Sequence, residues 1–333
     1  MNRNILEVRD LRKYFPLPAN PLRRGERPVV RAVDGVSFVI PEGETLGLIG
    51  ESGCGKSTTV KLLLRLESPT DGQILFDGKE VQNSHGKDLR TYRSQVQAVF
   101  QDPYSSLSPK RTVFQAIAEP LHAAKRFSRE EIIRRVNELL DIVGLPSTAQ
   151  SRLPHEFSGG QRQRIAIARG LALQPRLLIL DEPVSALDVS IRAQILNLLQ
   201  DLQKQFGLSY LLISHDLDIV THMCQSAAVM YLGKIVEIGP MDVIRSSPQH
   251  PYTRALFSSV LPANLEQEIQ RIRLHGSVPS PINPPSGCSF HTRCPSAQPI
   301  CSQQLPPRIT TAYGSTAVCH LLTADERTLE AVP

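Results

Sequence analysis

The stretch with the densest chemistry is Gly50-Glu51-Ser52-Gly53-Cys54-Gly55-Lys56-Ser57-Thr58. Its spacing is Gly-xxxx-Gly-Lys-Ser, set between the apolar run Thr45–Ile49 and a helical pattern through Val60, Leu62, Leu63, Leu64 and Leu66. That context makes it a P-loop. The glycines let the backbone curl so that successive N–H groups face a phosphate. Lys56 supplies a point charge to β- and γ-phosphates, Ser57 a hydroxyl to Mg²⁺, and the helix start a partial positive charge. Cys54 reads as a small filler, not a working thiol.

A second acidic element suits the same chemistry. Leu177-Leu178-Ile179-Leu180 is a fully apolar strand, as at the centre of a parallel sheet, and it ends in Asp181-Glu182-Pro183. Asp181 is placed to hold Mg²⁺ through water, and Glu182 to activate a water on a γ-phosphate. The bland alternative is a helix-capping pair. His215 follows the strand Tyr210–Ile213. It is either an ordinary structural histidine or a sensor of the γ-phosphate. Gln101 ends the strand Val96–Phe100, where its amide would reach Mg²⁺ and the attacking water. Phe157-Ser158-Gly159-Gly160-Gln161 opens an Ala-rich helix through Ile165–Arg169. Small residues at a helix start leave N–H groups accessible, which suits a second phosphate.

The positioning elements follow from periodicity. Ile5–Arg9, Val36–Ile40, Gln73–Phe76, Ala227–Tyr231 and Ile235–Ile238 read as strands. Pro16–Pro28 reads as an exposed loop, and Pro69 and Gly72 as the end of the helix after the P-loop. Ser128 with Glu131 forms a capping-box pattern ahead of Ile132, Ile133, Val136, Leu139, Leu140 and Val143, and Gly144 is placed to end that helix. A long amphipathic helix carries Ile191, Ile195, Leu198, Leu199 and Leu202. From about Met241 the periodicity fades, which puts a boundary near residues 240–250. No internal repeat is visible.

The chain has 333 residues, 41% hydrophobic and 21% charged, with a net charge of +5. The composition is that of a soluble globular protein with an ordinary surface. No aromatic and basic interleaving points to nucleic acid. No apolar run approaches the roughly 20 residues that span a bilayer, and no signal peptide is evident, so any membrane role is expected to come through partners. The cysteines are Cys54, Cys224, Cys288, Cys294, Cys301 and Cys319, expected to be reduced in a non-exported chain. The last four are separated by five, six and seventeen residues in a Pro-rich segment. That grouping suggests a metal centre. An iron–sulfur cluster is compatible, zinc is the alternative, and free thiols or a disulfide remain open. Arg293, His291 and His320 read as surroundings of the thiols.

The P-loop, Gln101, Phe157-Ser158-Gly159-Gly160-Gln161, Asp181-Glu182, Ser185-Ala186-Leu187-Asp188 and His215 together resemble the ATP-binding cassette (ABC) ATPases. They occur in the family order over about residues 5–240, with Phe157 where Leu is more usual. The resemblance implies an α/β P-loop NTPase fold: a RecA-like core with an antiparallel β portion (1–101 and 165–245), a helical signature subdomain (102–164) and a small cysteine-rich extension (246–333). It implies ATP and Mg²⁺ as ligands, with Gly50, Glu51, Ser52, Gly53, Cys54, Gly55, Lys56, Ser57 and Thr58 on ATP. Ser57, Gln101 and Asp181 would hold Mg²⁺. Glu182 would be the general base and His215 the switch histidine. Phe15, or failing that Tyr14, would stack on adenine. Ser158, Gly159, Gly160 and Gln161 would complete the site of a partner cassette, and Ser185–Asp188 would form the D-loop.

Ala98 to Leu107, His250-Pro251-Tyr252-Thr253 and Pro279 to Cys288 narrow the likeness to ATP-binding subunits of dipeptide/oligopeptide importers, through about residue 322. In those relatives, similar tails are associated with a [4Fe–4S] cluster, which here would fall on Cys288, Cys294, Cys301 and Cys319. The same resemblance implies two permease subunits, a second ATPase subunit in a heterodimer or homodimer, a solute-binding protein indirectly, and a place on the cytoplasmic face of the membrane. Import of nickel or another small solute, or a soluble ABC switch, is the alternative.

Overall fold

A computed structural model describes residues 3–17, 27–101, 106–259 and 271–322. In chain order the first elements are β1 (Asn4–Pro16), β2 (Val29–Pro41), β3 (Thr45–Ile49), α1 (Lys56–Leu63), β4 (Asp71–Phe76), β5 (Lys79–Glu80), α2 (Gly86–Gln95) and β6 (Val96–Val99). Next come α3 (Val113–Ala124), α4 (Arg129–Ile142), α5 (Gly159–Leu171), β7 (Leu177–Asp181), α6 (Val189–Phe206) and β8 (Ser209–Ile213). The chain closes with α7 (Leu217–Met223), β9 (Ser226–Tyr231), β10 (Lys234–Pro240), α8 (Met241–Ser246), α9 (Pro251–Phe257), α10 (Pro299–Gln303), β11 (Arg308–Thr310) and β12 (Thr316–Val318). The chain divides into two compact units, Met1–Leu6 with Ile40–Thr45 and Phe76–Ile213, and Glu7–Val39 with Leu46–Leu75 and Ser214–Pro333.

The first unit is built on the parallel strands β6, β7 and β8, in register Val96↔Leu177 and Leu178↔Tyr210. Leu177 to Leu180 are fully buried, which explains a strand with no polar alternation. Three helices follow a common rule at their starts. Thr112, Ser128 and Ser158 each accept the N–H three residues on, while Gln115, Glu131 and Gln161 reach back to the cap's own N–H. Gly144, at φ 70°, ends α4 as its position suggested. Arg164 and Arg169 extend from α5 to the Val143 and Ser106 carbonyls at 2.6 Å each.

The second unit contains β3, whose parallel neighbour is β9 (Leu46↔Ser226, Ile49↔Val229). Antiparallel strands continue outward as β10, β12 and β11. Residues that sequence periodicity left unassigned thus extend this sheet, through Glu237↔Ala317 and Ile238↔Thr316. β2, β1 and β4 lie side by side in a separate sheet. Gly72, at φ 90°, is required there, because a Cβ would lie 2.4 Å from the Asp10 carbonyl oxygen.

Three expectations need correction. The helix after the P-loop stops at Leu63, since Arg65 turns to φ 56°; Leu66 lies beyond it and is exposed. β6 stops at Val99, leaving Phe100 outside the strand. β1 and β2 run well past Ile5–Arg9 and Val36–Ile40. Most of the Pro16–Pro28 loop, and Asp102 to Ser105, lie outside the described residues.

Candidate nucleotide site

The P-loop takes the conformation that its glycines allow. Gly50, Gly53 and Gly55 have φ of 152°, 79° and 114°, a region closed to most side chains. Space confirms the requirement at two of them. A Cβ at Gly50 would lie 2.2 Å from the Met230 carbonyl oxygen, and one at Gly55 would lie 2.3 Å from that of Ala32. Gly55 leads into α1, and the side chain of Lys56 is tucked back over the loop. Its Nζ donates to the carbonyls of Gly50 (2.6 Å) and Glu51 (3.0 Å). Ser57 is exposed and Thr58 half-buried at the first turn of α1. Cys54 is buried beneath the loop, and burial pushes its thiol pKa up. A small, protonated filler is therefore its role.

Glu51 is held at three groups. Its N–H donates to Tyr252 Oη at 2.9 Å, its carbonyl accepts from Lys56, and its carboxylate takes both Arg293 nitrogens at 2.7 and 3.1 Å. Arg293 is thus not simply a neighbour of the thiols. Tyr231, Tyr252 and Phe290 form a buried ring cluster, with centroids 4.8 to 5.3 Å apart. His250 leans on Phe290, and its Nδ1 accepts the Tyr252 N–H at the start of α9. Glu237, fully buried, accepts the N–H groups of Gln249 (2.8 Å) and His250 (2.9 Å). Sequence reasoning missed these four roles. The only local signal was the His-Pro-Tyr-Thr run, in which a polar cap precedes proline at a helix start.

In the same unit His215 is exposed, just before Asp216, which caps α7 by accepting from the N–H groups of Asp218 and Ile219. Phe15 is half-buried near the end of β1, with Lys13 Nζ 4.8 Å from its ring centroid. Tyr14 is committed elsewhere: its hydroxyl donates to Asp34 at 2.5 Å, and burial followed by Asp34 pushes its pKa up to about 12. Phe15 is therefore the freer aromatic.

The first unit gathers Gln101 and Glu182. Gln101 Nε2 donates to Glu182 Oε2 at 2.6 Å. Asp181 closes β7, and Glu182 adopts φ 49°, where its N–H donates to the Ile213 carbonyl. A non-glycine residue in that region is strained by roughly 1–3 kcal/mol, a cost typical of functional sites. Ser185 follows in a turn, its N–H and hydroxyl donating to the Glu182 carbonyl, and Leu187 N–H donates to that of Val184. Asp188 caps α6, and the N–H of Ile191 holds its carboxyl below the usual range. Ala186 is exposed.

The signature stretch packs on this turn and helix. A Cβ at Gly160 would lie 2.3 Å from Ile191 Cγ2, and one at Gly159 3.3 Å from Leu187 Cδ2. Ser158 and Gln161 remain exposed. Phe157 is buried, with the Arg152 guanidinium 4.4 Å from its ring centroid.

The tail thiols are near enough for charge on one to act on another, yet the structure does not arrange them as a ligand set. All four are free, so no disulfide forms among them. Cys288 N–H donates to the Cys301 carbonyl at 2.8 Å, and Gly287 turns at φ 65° beneath it. Among the described residues, no three His, Cys, Asp or Glu groups are arranged to hold a metal ion. Burial pushes the thiols of Cys288, Cys294 and Cys319 up, the last to about 11.

Comparison with known proteins agrees with the two halves of this description. Residues 33–185 match the ABC transporter family model, and residues 236–301 match the oligopeptide/dipeptide transporter C-terminal region. The oligopeptide transport ATP-binding protein AppF of Bacillus subtilis (strain 168) is 50% identical over 95% of this chain and 97% of its own. The dipeptide transport ATP-binding protein DppF of Escherichia coli (strain K12) is 45% identical over 97% and 96%. Among solved structures, the ATP-binding cassette MJ0796 in a dimeric post-hydrolysis state with ADP and Pi aligns with a TM-score of 0.61 at 28% identity, covering 71% of this chain and 98% of that one. Clostridium perfringens cbiO1, part of an ABC transporter complex, aligns at 0.62 and 30% identity, covering 74% and 92%. A left-handed glycine loop closed by Lys56, a strained Glu182 beside Gln101 and near-full-length likeness to transport ATPases have one reading: the chain belongs to the ABC transporter family, among the ATP-binding proteins that carry the oligopeptide/dipeptide transporter C-terminal region.

Proposed function

We propose that this chain is the ATP-hydrolysing subunit of a peptide-importing ABC transporter. The observation that supports the reading is the left-handed glycine loop Gly50–Gly55, closed by the Lys56 side chain. Lys56 and the loop N–H groups bind the β- and γ-phosphates of ATP. Ser57, Gln101 and Asp181 would each offer a hard oxygen to Mg²⁺, whose charge would offset that of the phosphates. Glu182 accepts the proton of the attacking water, with Gln101 orienting its carboxylate. His215 contacts the γ-phosphate, and Phe15 stacks on adenine. Ser158 to Gln161 complete the ATP site of a partner cassette, so that dimerisation is part of catalysis. Ser185 to Asp188 line the same junction.

The core (1–101 and 165–245) performs hydrolysis, the helical subdomain (102–164) presents the signature, and 246–333 forms the extension. The partners are a second ATPase subunit in a heterodimer and two permeases, with a solute-binding protein acting indirectly. No described helix is long and apolar enough to cross a membrane, and the subunit works on the cytoplasmic face through its permeases. The cluster reading of Cys288, Cys294, Cys301 and Cys319 rests on their number and the family likeness, not on geometry. Iron, sulfide and zinc assays on anaerobically purified protein decide it.

The test of the central reading is Glu182→Gln. The variant should bind ATP normally and lose about a hundredfold or more in turnover, the usual worth of a positioned general base, with the closed dimer accumulating. Hydrolysis at the wild-type rate would remove Glu182 from the mechanism.

A further inference from the structure

We propose that Arg293 and Tyr252 are positioning residues of the P-loop, setting its affinity for ATP from the C-terminal region by fixing Glu51. The proposal rests on the assignment of Gly50–Ser57 as the ATP loop.

The loop needs such anchors. Gly50, Gly53 and Gly55 all adopt left-handed backbone, and glycines confer little preference for one conformation over another. The Cys54 carbonyl accepts the Gly233 N–H at 2.8 Å, and Glu51 is tied from outside the loop through both its N–H and its side chain. Tyr252 takes its N–H and Arg293 takes its carboxylate through two parallel bonds, which fix the plane of the carboxylate as well as its position. The carbonyl of this same residue receives Lys56 Nζ at 3.0 Å. Two groups from beyond residue 246 therefore hold the peptide that the phosphate-binding lysine leans on.

The anchors are themselves packed in the interior of this unit. The Arg293 side chain is 8% exposed and lies 5.9 Å from the Tyr231 ring centroid. Tyr231 and Tyr252 are fully buried, and Phe290 is 1% exposed. His250 and Glu237 brace the turn that delivers Tyr252. Neither Arg293 nor Tyr252 is assigned a contact with the nucleotide, so their effect passes through Glu51. Loosening Glu51 lowers the fraction of loops ready for phosphate, and apparent affinity falls with that fraction. A loop already filled with ATP is unaffected in the chemical step. The expected signature is a change in Kd and KM without a matching change in kcat.

The test uses the full chain with the fluorescent analogue mant-ATP, and the ATPase rate of the chain assembled with its partner subunits. Arg293→Gln should weaken mant-ATP binding and raise KM by about tenfold, a scale set by truncating one side of a partly buried charge pair, with kcat within about twofold. Glu51→Gln should weaken mant-ATP binding at least as much, and the double variant should bind no worse than Glu51→Gln alone, the non-additivity expected of direct partners. Arg293→Lys should recover part of the loss. Tyr252→Phe, which removes only the hydroxyl, should raise KM by about threefold. Lys56→Ala separates the two levels of the argument. If it abolishes binding while Arg293→Gln and Glu51→Gln bind as wild type, this proposal falls and the P-loop assignment stands. If Lys56→Ala binds normally, the assignment itself falls. If Arg293→Gln does not fold, Tyr252→Phe carries the test, and an unchanged KM there overturns the proposal.

Discussion

Acid should weaken this protein at a single buried histidine. His250 is 1% exposed. Its Nδ1 must carry a lone pair, because that atom accepts the Tyr252 N–H at 3.1 Å and caps α9. Burial, and then the charge of Arg254, lower its pKa from 6.5 to about 3. In the unfolded chain the imidazole takes a proton near 6.5, while the folded chain resists until about 3. The stability it contributes is whole above pH 6.5 and is lost as pH falls from there towards 3. At one pKa unit per 1.36 kcal/mol, the loss at pH 5 is about 2 kcal/mol. Glu237, which accepts the His250 N–H, acts in the opposite sense, since burial raises its pKa and favours its protonated form in acid. His250→Asn keeps a cap acceptor but cannot titrate there, so comparison with wild type cancels Glu237. Urea unfolding by circular dichroism at pH 7 and pH 5 supplies the measurement. Wild type should lose about 2 kcal/mol more than the variant across that interval. Equal losses, or an imidazole that titrates near 6.5 by NMR in the folded chain, would refute the assignment.

Three perturbations probe the first unit. Gly160→Ala places a methyl against Ile191 Cγ2; that side chain is branched and stiff, so about 1–3 kcal/mol of stability should be lost in chemical unfolding and regained in part with Ile191→Ala. Thr112→Ala removes the cap of α3 and should lower stability by about 1 kcal/mol. Arg176→Ala breaks bonds to Asp77 and Glu42 at a partly exposed site, so its cost should stay under about 1 kcal/mol and shrink further in 1 M salt.

What was legible in the sequence was what local chemistry dictates. The P-loop could be read because its glycines specify the backbone and its flanks specify strand and helix. β7 could be read because a strand buried on both faces has no polar alternation. α4 could be read because Ser128, Glu131 and Gly144 mark its ends. The failures are equally physical. α2 buries only Tyr92, so it shows no apolar stripe. β11 and β12 are three residues each, too short for a period. The tie between Glu51 and Arg293 spans 242 positions, and nothing local to either residue announces it. The four tail cysteines show the limit of counting: spacing along the chain says how many thiols are near one another, not whether they converge as ligands.

The signature serine shows why fold and function must be separated at one atom. Ser158 Oγ accepts the Gln161 N–H at 3.3 Å, and Gln161 Oε1 accepts the Ser158 N–H at 3.0 Å. An accepting hydroxyl still has its own proton to donate, so Ser158 can cap α5 and reach a partner's phosphate together. Ser158→Ala would remove both roles and could not tell them apart. Ser158→Asp can, because aspartate caps as well as serine but brings no proton and adds a charge facing phosphate. That variant should keep its helix content and melting temperature, and it should still bind mant-ATP at its own Lys56. Hydrolysis in the assembled complex should fall about a hundredfold, the usual effect of losing one donor to developing charge. A Ser158→Asp complex that hydrolyses ATP at the wild-type rate would show that the exposed start of α5 serves only the fold. Loss of mant-ATP binding by the isolated chain would place Ser158 at its own loop instead of a partner's.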